Sequence, residues 1–264
     1  MSYTYKKCTA IEIQPLMEGY IKTLSSPFDS YLEERIVESD FYSIYIDTDA
    51  TGYFSFNKDS CITQFYLERE HIKHSQQIFK YILEQYQIKN ALVFTGDELF
   101  LSLVLDQEIV LNKQAYFFQD SRAKTDEATL YHGGSFRPAI KDDIPLVLQV
   151  SGDFFDSLEA KIERGEIFVF KDGEILLGAG IVEHSKFLKG YTSIGMFANE
   201  QYRQKGIGRT IITKLKHWCY ENGLTPICGC WYYNYNSKKT LESTGMVTKT
   251  RLLGAEFVNI ASNL

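Results

Sequence analysis

The sequence predicts an α/β protein made of two halves of similar design. Stretches of alternating polar and apolar residues, typical of strands, are separated by stretches whose apolar residues recur at helical spacing. In both halves the predicted order is two helices, a hairpin, a strand, a helix, a strand and a helix. A shift of 133 positions also places Ile78 on Ile211 and Ile82 on Leu215, in the apolar faces of two predicted helices. The two halves are therefore expected to be an internal repeat.

The elements of the N-terminal half follow from these patterns and from their boundary residues. Pro27 breaks the first helix and can open the second, and Asp97 is placed to cap the last one. The helices are expected over 10–24, 27–38, 76–87 and 97–105. The strands are expected over 41–47, 53–57, 61–67 and 91–95, the first two forming a hairpin around the turn 47–52.

The most informative stretch, 191–223, joins a predicted strand to a predicted helix through a basic turn with two glycines. The strand alternates from Tyr191 to Ala198, and the helix ends at Gly223. Between them lies RQKGIGR, residues 203–209. Glycines let a backbone approach a ligand closely, and the free N–H groups and dipole of a helix N-terminus favour an anion. The turn is therefore predicted to bind a phosphate.

Two common phosphate-binding motifs do not fit this turn. A P-loop requires GxxxxGK[ST], but Lys205 precedes the glycines, and a dinucleotide-binding turn requires GxGxxG, but Ile211 lies three residues after Gly208. The turn does contain RxxGxG, formed by Arg203, Gly206 and Gly208. In this form the stretch resembles motif A of the Gcn5-related N-acetyltransferases (the GNAT superfamily), where this loop holds the pyrophosphate of acetyl-CoA.

A second segment supports the resemblance. After a short predicted strand, the sequence from Asn234 onward is similar to the family's NxxAxxxYxxxGF segment, with Ser237 and Gly245 in matching positions. Leu241 stands where the family has tyrosine. This departure puts the family's usual general acid in doubt, because that acid is the missing tyrosine.

The resemblance covers about 134–264. Residues 136–139 look like the family's first strand, and 166–183 look like its hairpin. The resemblance implies the GNAT fold, a mixed central sheet flanked by helices, here expected as a tandem pseudo-repeat.

The N-terminal half is expected to lack the phosphate turn. The 133-residue shift places Glu70 on Arg203, Lys73 on Gly206 and Ser75 on Gly208, so neither the arginine nor the glycines recur. The predicted parts are an N-terminal GNAT-like lobe without a cofactor turn over 1–120, a polar linker over 121–133 and a GNAT acetyltransferase domain over 134–264.

The resemblance also implies an activity and a set of contacts. The implied function is an acetyl-CoA-dependent N-acetyltransferase, in which the amine attacks the thioester directly in a ternary complex, without an acyl-enzyme or a metal. The implied cofactor-binding residues are Phe197, Ala198, Arg203, Gln204, Lys205, Gly206, Ile207, Gly208, Arg209, Asn234 and Lys239. For the lysines, a solvated surface position is the alternative.

The catalytic groups are less closely defined. Glu183, at the end of the hairpin's second strand, is the candidate general base, since an amine with a pKa near 10 must lose a proton; a solvated glutamate without a role is the alternative. Tyr232 and Tyr233 are candidates to replace the missing tyrosine as general acid. They could equally line the substrate site or pack in the core.

Composition limits the cellular locations and binding partners that can be expected. A net charge of −6 disfavours binding to nucleic acid or to an anionic membrane, and it suits a cationic acceptor. No apolar run approaches the roughly 20 residues of a membrane helix, and the first residues lack the apolar core of a signal peptide, so a cytoplasmic protein is expected. Five cysteines without CxxC spacing and five histidines without an HExxH motif argue against a disulfide framework and a metal site.

The expected acceptor is a small amine or a protein amino group, and the N-terminal lobe is expected to shape the acceptor cleft or a dimer contact. A different class remains open: an acyl-CoA-binding sensor or interaction module that kept the phosphate turn and lost catalysis. Leu241, and the lack of a carboxylate between Tyr191 and Ala198, motivate this alternative. Turnover would separate the two, whereas binding of CoA would not.

Overall fold

The computed structural model describes residues 2–258. The chain forms two compact units. The first contains the chain up to Tyr116 and again from Thr250, and the second runs from Phe117 to Lys249. Each half of the sequence contributes the same succession of elements: a strand, two helices, three strands, a short 3₁₀ turn, a helix, a strand, a helix and a last strand, and the second half adds a 3₁₀ turn before its first helix. This shared order confirms the predicted internal repeat.

The first half supplies six strands and four helices. The strands are β1 Tyr3–Cys8, β2 Asp40–Ile46, β3 Asp49–Phe56, β4 Cys61–Leu67, β5 Asn90–Phe94 and β6 Ile109–Asp120. The helices are α1 Gln14–Thr23, α2 Ser30–Val37, α3 Ser75–Gln85 and α4 Glu98–Leu105.

The second half repeats this set. Its strands are β7 Ser135–Pro138, β8 Ile167–Asp172, β9 Ile175–His184, β10 Tyr191–Ala198, β11 Thr225–Trp231 and β12 Met246–Phe257. Its helices are α5 Ile144–Ser151, α6 Leu158–Glu163, α7 Ile207–Glu221 and α8 Tyr235–Glu242. Among the described residues, no helix is long and apolar enough to cross a membrane.

Each unit has a mixed sheet. In the first, the strand order is β1-β2-β3-β4-β5-β12, with β4 and β5 parallel and the remaining neighbours antiparallel. The last strand of the chain thus enters the first unit, where residues 252–256 pair with β5. In the second unit, the order is β7-β8-β9-β10-β11, with only β10 and β11 parallel.

Apolar helix faces cover these sheets, as the helical spacing predicts. In the second unit, α5 and α6 pack on one face of the sheet and α7 on the other, where Ile211 and Leu215 are fully buried. Glycines on β9 allow the close approach of α7, since a Cβ on Gly180 would lie 2.9 Å from a Leu215 methyl group. In the first unit, Ile78 and Ile82 of α3 take the corresponding fully buried places.

Sequence patterns located most elements to within a few residues, but not all of them. The strands β1, β6 and β12 were not predicted, and α6 was predicted only as the second of two helices before the hairpin, without residue limits. The predicted domain limits also differ from those of the compact units. Residues 117–133 lie within the second unit, and the chain from Thr250 lies with the first.

Asp97 caps α4 as predicted and is also part of a buried polar cluster in the first unit. Its Oδ1 accepts a hydrogen bond from the Phe100 N–H at 3.1 Å, and its carboxylate interacts with the hydroxyl of Tyr20. Asp97 Oδ2, the Tyr53 hydroxyl and Gln64 Oε1 are buried without a hydrogen-bond partner among the described residues. Burial raises the pKa of Asp97 to about 7, although the bonds from Phe100 and Tyr20 lower it.

We predict that Asp97 makes the protein less stable as the pH rises from about 4 to 7. Over this range the unfolded state releases the proton that the folded state keeps, so the free energy of unfolding falls by up to about 4 kcal/mol. Asp97→Asn keeps a capping oxygen but does not titrate. Urea unfolding of both proteins at several pH values gives their free energies of unfolding. The effect of Asp97 is the free energy of the wild-type protein minus that of the Asp97→Asn variant. A difference that stays constant between pH 4.5 and 7.5 would contradict the prediction.

Candidate functional site

The glycine turn after β10 has the geometry of an anion site. A 3₁₀ turn over Glu200–Tyr202 is followed by two residues with left-handed backbone, Gln204 at φ +64° and Gly206 at φ +82°, and α7 begins directly afterwards. The first helical hydrogen bond runs from the Thr210 N–H to the Gly206 carbonyl at 2.9 Å. The three preceding N–H groups, of residues 207–209, therefore lie at the open end of the helix, where partial positive charge accumulates.

Gly206 is sterically required, and Gly208 is closely packed. A Cβ on Gly206 would lie 2.7 Å from the carbonyl oxygen of Thr129, and its positive φ disfavours any other residue. A Cβ on Gly208 would lie 3.1 Å from the sulfur of Met196. Ile207 is almost fully buried and fixes the first turn of α7 in the core. The backbone here can therefore approach a ligand without side chains in between.

Three basic side chains surround the turn, in different environments. Arg203 is half-exposed and pairs with Glu200 at 2.9 Å. Lys205 lies with its Nζ 5.1 Å from the centre of the Tyr202 ring. Arg209 instead donates hydrogen bonds to Ser243 Oγ at 2.8 Å and to the Thr129 carbonyl at 3.3 Å. Arg203 and Lys205 thus add charge at the surface, whereas Arg209 links separate parts of the chain.

Next to the turn, β10 and β11 separate. Their parallel pairing runs from Tyr191 with Thr225 to Ser193 with Ile227, while the strands continue to Ala198 and Trp231. The other edge of β10 stays paired with β9 as far as its last residue. The facing edges of β10 and β11 therefore carry peptide groups that this ladder does not satisfy, and backbone polar groups require partners. Such edges can pair with an extended chain that carries amide groups.

The remaining predicted coenzyme residues lie at the end of β10 and on α8. Phe197 and Ala198 end β10, directly before the turn. Asn234 is the N-cap of α8, its side chain accepting a hydrogen bond from the Ser237 N–H at 3.0 Å, and Lys239 lies exposed on the same helix. Helix α8 packs beside the turn, since a Cβ on Gly208 would lie 3.3 Å from a Thr240 methyl group.

Glu183 lies level with the point where the strands separate, because it pairs across the sheet with Ser193. Its carboxylate accepts a hydrogen bond at 2.9 Å from the ammonium group of Lys161, which also binds Asp156 at 2.9 Å. Desolvation lowers the pKa of Lys161, but the bonds from its ammonium to Asp156 and Glu183 raise it, and the net shift is upward. Lys161 is therefore protonated at neutral pH and orients the Glu183 carboxylate.

Aromatic side chains end β11 on the other side of the opening. The rings of Tyr232 and Tyr233 are 5.2 Å apart, and Trp231 contacts Tyr233 at 5.1 Å. Tyr233 is half-exposed, whereas Leu241, at the position of the family's tyrosine, is buried in the core. Tyr232 and Tyr233 thus provide phenol groups near the opening, whereas position 241 on α8 provides none.

Two features of the site were not predicted from the amino-acid sequence. Phe154, half-exposed in the loop before α6, packs its ring 5.3 Å from that of Phe197. Residues of the predicted linker, Thr129 and Tyr131, contact the turn itself. The linker is polar and has no periodicity, so nothing in its sequence indicated that it would contact the turn.

The corresponding turn of the first unit has a different chemistry. It is a 3₁₀ turn over Arg69–His74 without glycine. Glu68, Glu70 and His71 bring potential metal-ligand atoms within 4.8 Å of one another there. These groups are not fully buried, and carboxylates at this place would repel a phosphate.

Comparison with known proteins agrees with this geometry. Residues 9–121 match a family described as "Acetyltransferase (GNAT) domain", and residues 140–246 match the "Acetyltransferase (GNAT) family". No curated protein matches the chain.

Several solved structures share the whole architecture. An acetyltransferase from the GNAT family of Colwellia psychrerythraea superposes with a TM-score of 0.86 at 20% identity, covering 97% of this chain and 100% of that one. A GCN5-related N-acetyltransferase from Sphaerobacter thermophilus gives 0.69 at 10% identity, covering 99% and 97%. A tandem GNAT protein from the clavulanic acid biosynthesis pathway gives 0.64 at 8% identity, covering 96% and 98%. At these identities the likeness concerns the fold; together with the two family matches it shows that the chain belongs to the GNAT superfamily and carries two GNAT domains in tandem.

Proposed function

We propose that the second unit is an N-acetyltransferase that passes the acetyl group of acetyl-CoA directly to an amine in a ternary complex. The observation that carries this proposal is the left-handed turn before α7 lying at the end of β10, just where β10 and β11 separate. One feature suits a pyrophosphate and the other suits the amide-bearing pantetheine arm, and the two are contiguous.

The coenzyme residues divide into three groups in this proposal. The N–H groups of residues 207–209 bind the pyrophosphate, and Arg203 and Lys205 add positive charge. The backbone of Phe197 and Ala198 binds the pantetheine arm and the acetyl carbonyl. Asn234 and Lys239 line the far side of the opening. Gly206 shapes the turn through its backbone, and the side chains of Gln204 and Arg209 shape the turn rather than contact the ligand.

The reaction then requires positioning and two proton transfers. Acetyl-CoA supplies a thioester that is already reactive toward amines, so the protein has to align the amine and stabilise charge on the carbonyl oxygen. The backbone N–H groups at the end of β10 would polarise that carbonyl. Glu183 would accept the ammonium proton, directly or through water, while Lys161 holds its carboxylate in place. Tyr232 or Tyr233 would donate a proton to the departing thiolate, because Leu241 cannot.

The acceptor is proposed to be a small amine or a protein amino group. The loop and helix next to Phe154 and Phe197 carry the carboxylates of Asp153, Asp156, Glu159 and Glu163. An open cavity of about 550 Å³ beside α5 and α6 is lined by Ser157, Glu159, Glu163 and apolar side chains. Asp156 and Glu163 pair with Lys161 and Lys141, so it is the exposed carboxylates of Asp153 and Glu159 that would favour a cationic acceptor. The expected cytoplasmic location and the role of the first unit stay predictions.

We expect the protein to release CoA thiol from acetyl-CoA when given an amine of the right class. The test is a panel of spermidine, aminoglycosides and lysine-bearing peptides, with thiol release followed spectrophotometrically and acetylated product identified by mass. Release that depends on one amine class establishes the activity. Tight CoA binding without release by any amine would favour the alternative, a non-catalytic acyl-CoA sensor, for which Leu241 is the motivating observation.

Arg203→Ala should weaken CoA binding about tenfold, because it removes one charge-assisted contact to phosphate. Arg164→Ala is the matched control: Arg164 is exposed to a similar extent and also pairs with a neighbouring glutamate, but it lies before β8. Isothermal titration gives the Kd, and thermal unfolding should be nearly unchanged for both variants. Equal affinity of the two variants would contradict the assignment of Arg203.

Glu183→Gln should lower kcat/KM about a hundredfold near pH 7, with the defect narrowing toward pH 10 as the amine loses its proton in solution. Glu174→Gln, in the exposed turn between β8 and β9, serves as control and should have the wild-type profile. The pH–rate profiles of the wild-type protein and the two variants test whether Glu183 is the general base. A defect of constant size across the whole pH range would mean that Glu183 is not the base.

A further inference from the structure

The segment Asp126–Tyr131, here called the strap, runs along the N-terminal end of α7. It precedes the region that matches the GNAT family, which begins at residue 140. The strap is an ordered structure: Asp126 caps a short turn over Glu127–Thr129, accepting a hydrogen bond from the Ala128 N–H at 3.1 Å. Its position against the glycine turn suggests a function beyond that of a connection.

The strap is tied to the turn by a chain of two hydrogen bonds. The Tyr131 N–H donates to Thr210 Oγ1 at 2.8 Å, and the Thr210 hydroxyl donates to the Gly206 carbonyl at 3.1 Å. The Gly206 carbonyl and the Ile207 N–H belong to one planar trans peptide, so they point in opposite directions. Holding the carbonyl toward the helix therefore holds the N–H outward, toward the place proposed for the pyrophosphate.

A second set of contacts comes from the carbonyl of Thr129. This oxygen accepts a hydrogen bond from the Arg209 guanidinium at 3.3 Å, and it lies so close to Gly206 that a Cβ there would approach it to 2.7 Å. The same guanidinium binds Ser243, just past the end of α8. The strap, the turn and α8 are thus joined through Arg209.

The strap is also anchored on the sheet. The Tyr131 hydroxyl donates to Asp172 at 3.2 Å, and the Tyr131 ring meets Phe170 edge-on at 5.9 Å. Both partners belong to β8. The strap therefore connects a rigid strand to the turn, which suits it to fix the position of the turn.

We propose that the strap is a positioning element of the coenzyme site, and that the Tyr131 N–H and Thr210 hydroxyl hold the turn in its phosphate-binding shape. This inference rests on the proposed function, because it assumes that the turn binds the phosphates of CoA. It extends the functional site to residues that lie outside the matched GNAT region.

The test compares Tyr131→Pro with Tyr131→Ala in the full chain. Both variants lose the ring and its bond to Asp172, but only proline also loses the N–H. Leu130 has φ −80° and ψ 158°, the extended backbone that a residue before proline prefers, so the residue preceding the substitution can keep its conformation. Relative to the alanine variant, the proline variant should bind CoA five- to tenfold more weakly and show a raised KM for acetyl-CoA at similar kcat.

Pantetheine, which lacks the phosphates, distinguishes positioning of the turn from general damage. The two variants should bind pantetheine equally, as measured by NMR titration. Thr210→Val removes the same relay within nearly the same volume and should reproduce the loss of CoA affinity; it decides the matter if the proline variant does not fold.

Equal CoA affinity of the proline and alanine variants, together with unchanged affinity of Thr210→Val, would overturn the proposal. An equal loss of affinity for CoA and pantetheine would also overturn it, since a disturbed fold would then be the cause. If the wild-type protein binds no CoA, the proposed function itself fails. That result is distinguishable because it does not depend on any variant.

Discussion

The structure of each unit depends on a pair of parallel strands that separate soon after they meet. In the second unit, β10 and β11 part after Ser193 and Ile227; in the first, β4 and β5 part after Ile62 and Ala91. Parted strands leave peptide groups that need other partners. The same architectural opening therefore occurs twice, and what differs between the units is the turn that follows it.

That turn gives the two units different chemical character within one fold. In the second unit it combines positive φ angles, glycines and arginines at a helix N-terminus, all of which favour an anion. In the first unit Glu68 and Glu70 occupy the turn, and Gln64, on the parted stretch of β4, is buried close to Tyr20 and Asp97. A duplicated fold can thus keep its core while only one copy keeps a phosphate-binding turn, because the core and the turn are set by different residues.

The success and failure of sequence-based prediction depend on how far apart in the sequence the interacting residues lie. The limits of β10 and α7 were predicted because alternation, helical spacing and glycine act locally. The pairing of Glu183 with Lys161 spans 22 residues and that of Arg209 with Thr129 spans 80, so neither has a local pattern. The strand β12 was missed for the same reason: its partner in the ladder, β5, lies more than 150 residues earlier in the sequence.

Gly206 illustrates why a motif residue need not have a single role. Its φ of +82° requires glycine for the backbone, its place at the helix N-terminus allows a phosphate to approach, and its contact with the Thr129 carbonyl leaves no room for a side chain. Any larger residue at this position would disturb all three at once, so a loss of binding on substitution could not be assigned to the phosphate alone. The neighbouring groups separate these roles, since Arg203 is exposed and the Tyr131 N–H acts only through Thr210. The glycines of such a turn therefore define its shape. Substitutions of the residues around them show which contacts depend on that shape.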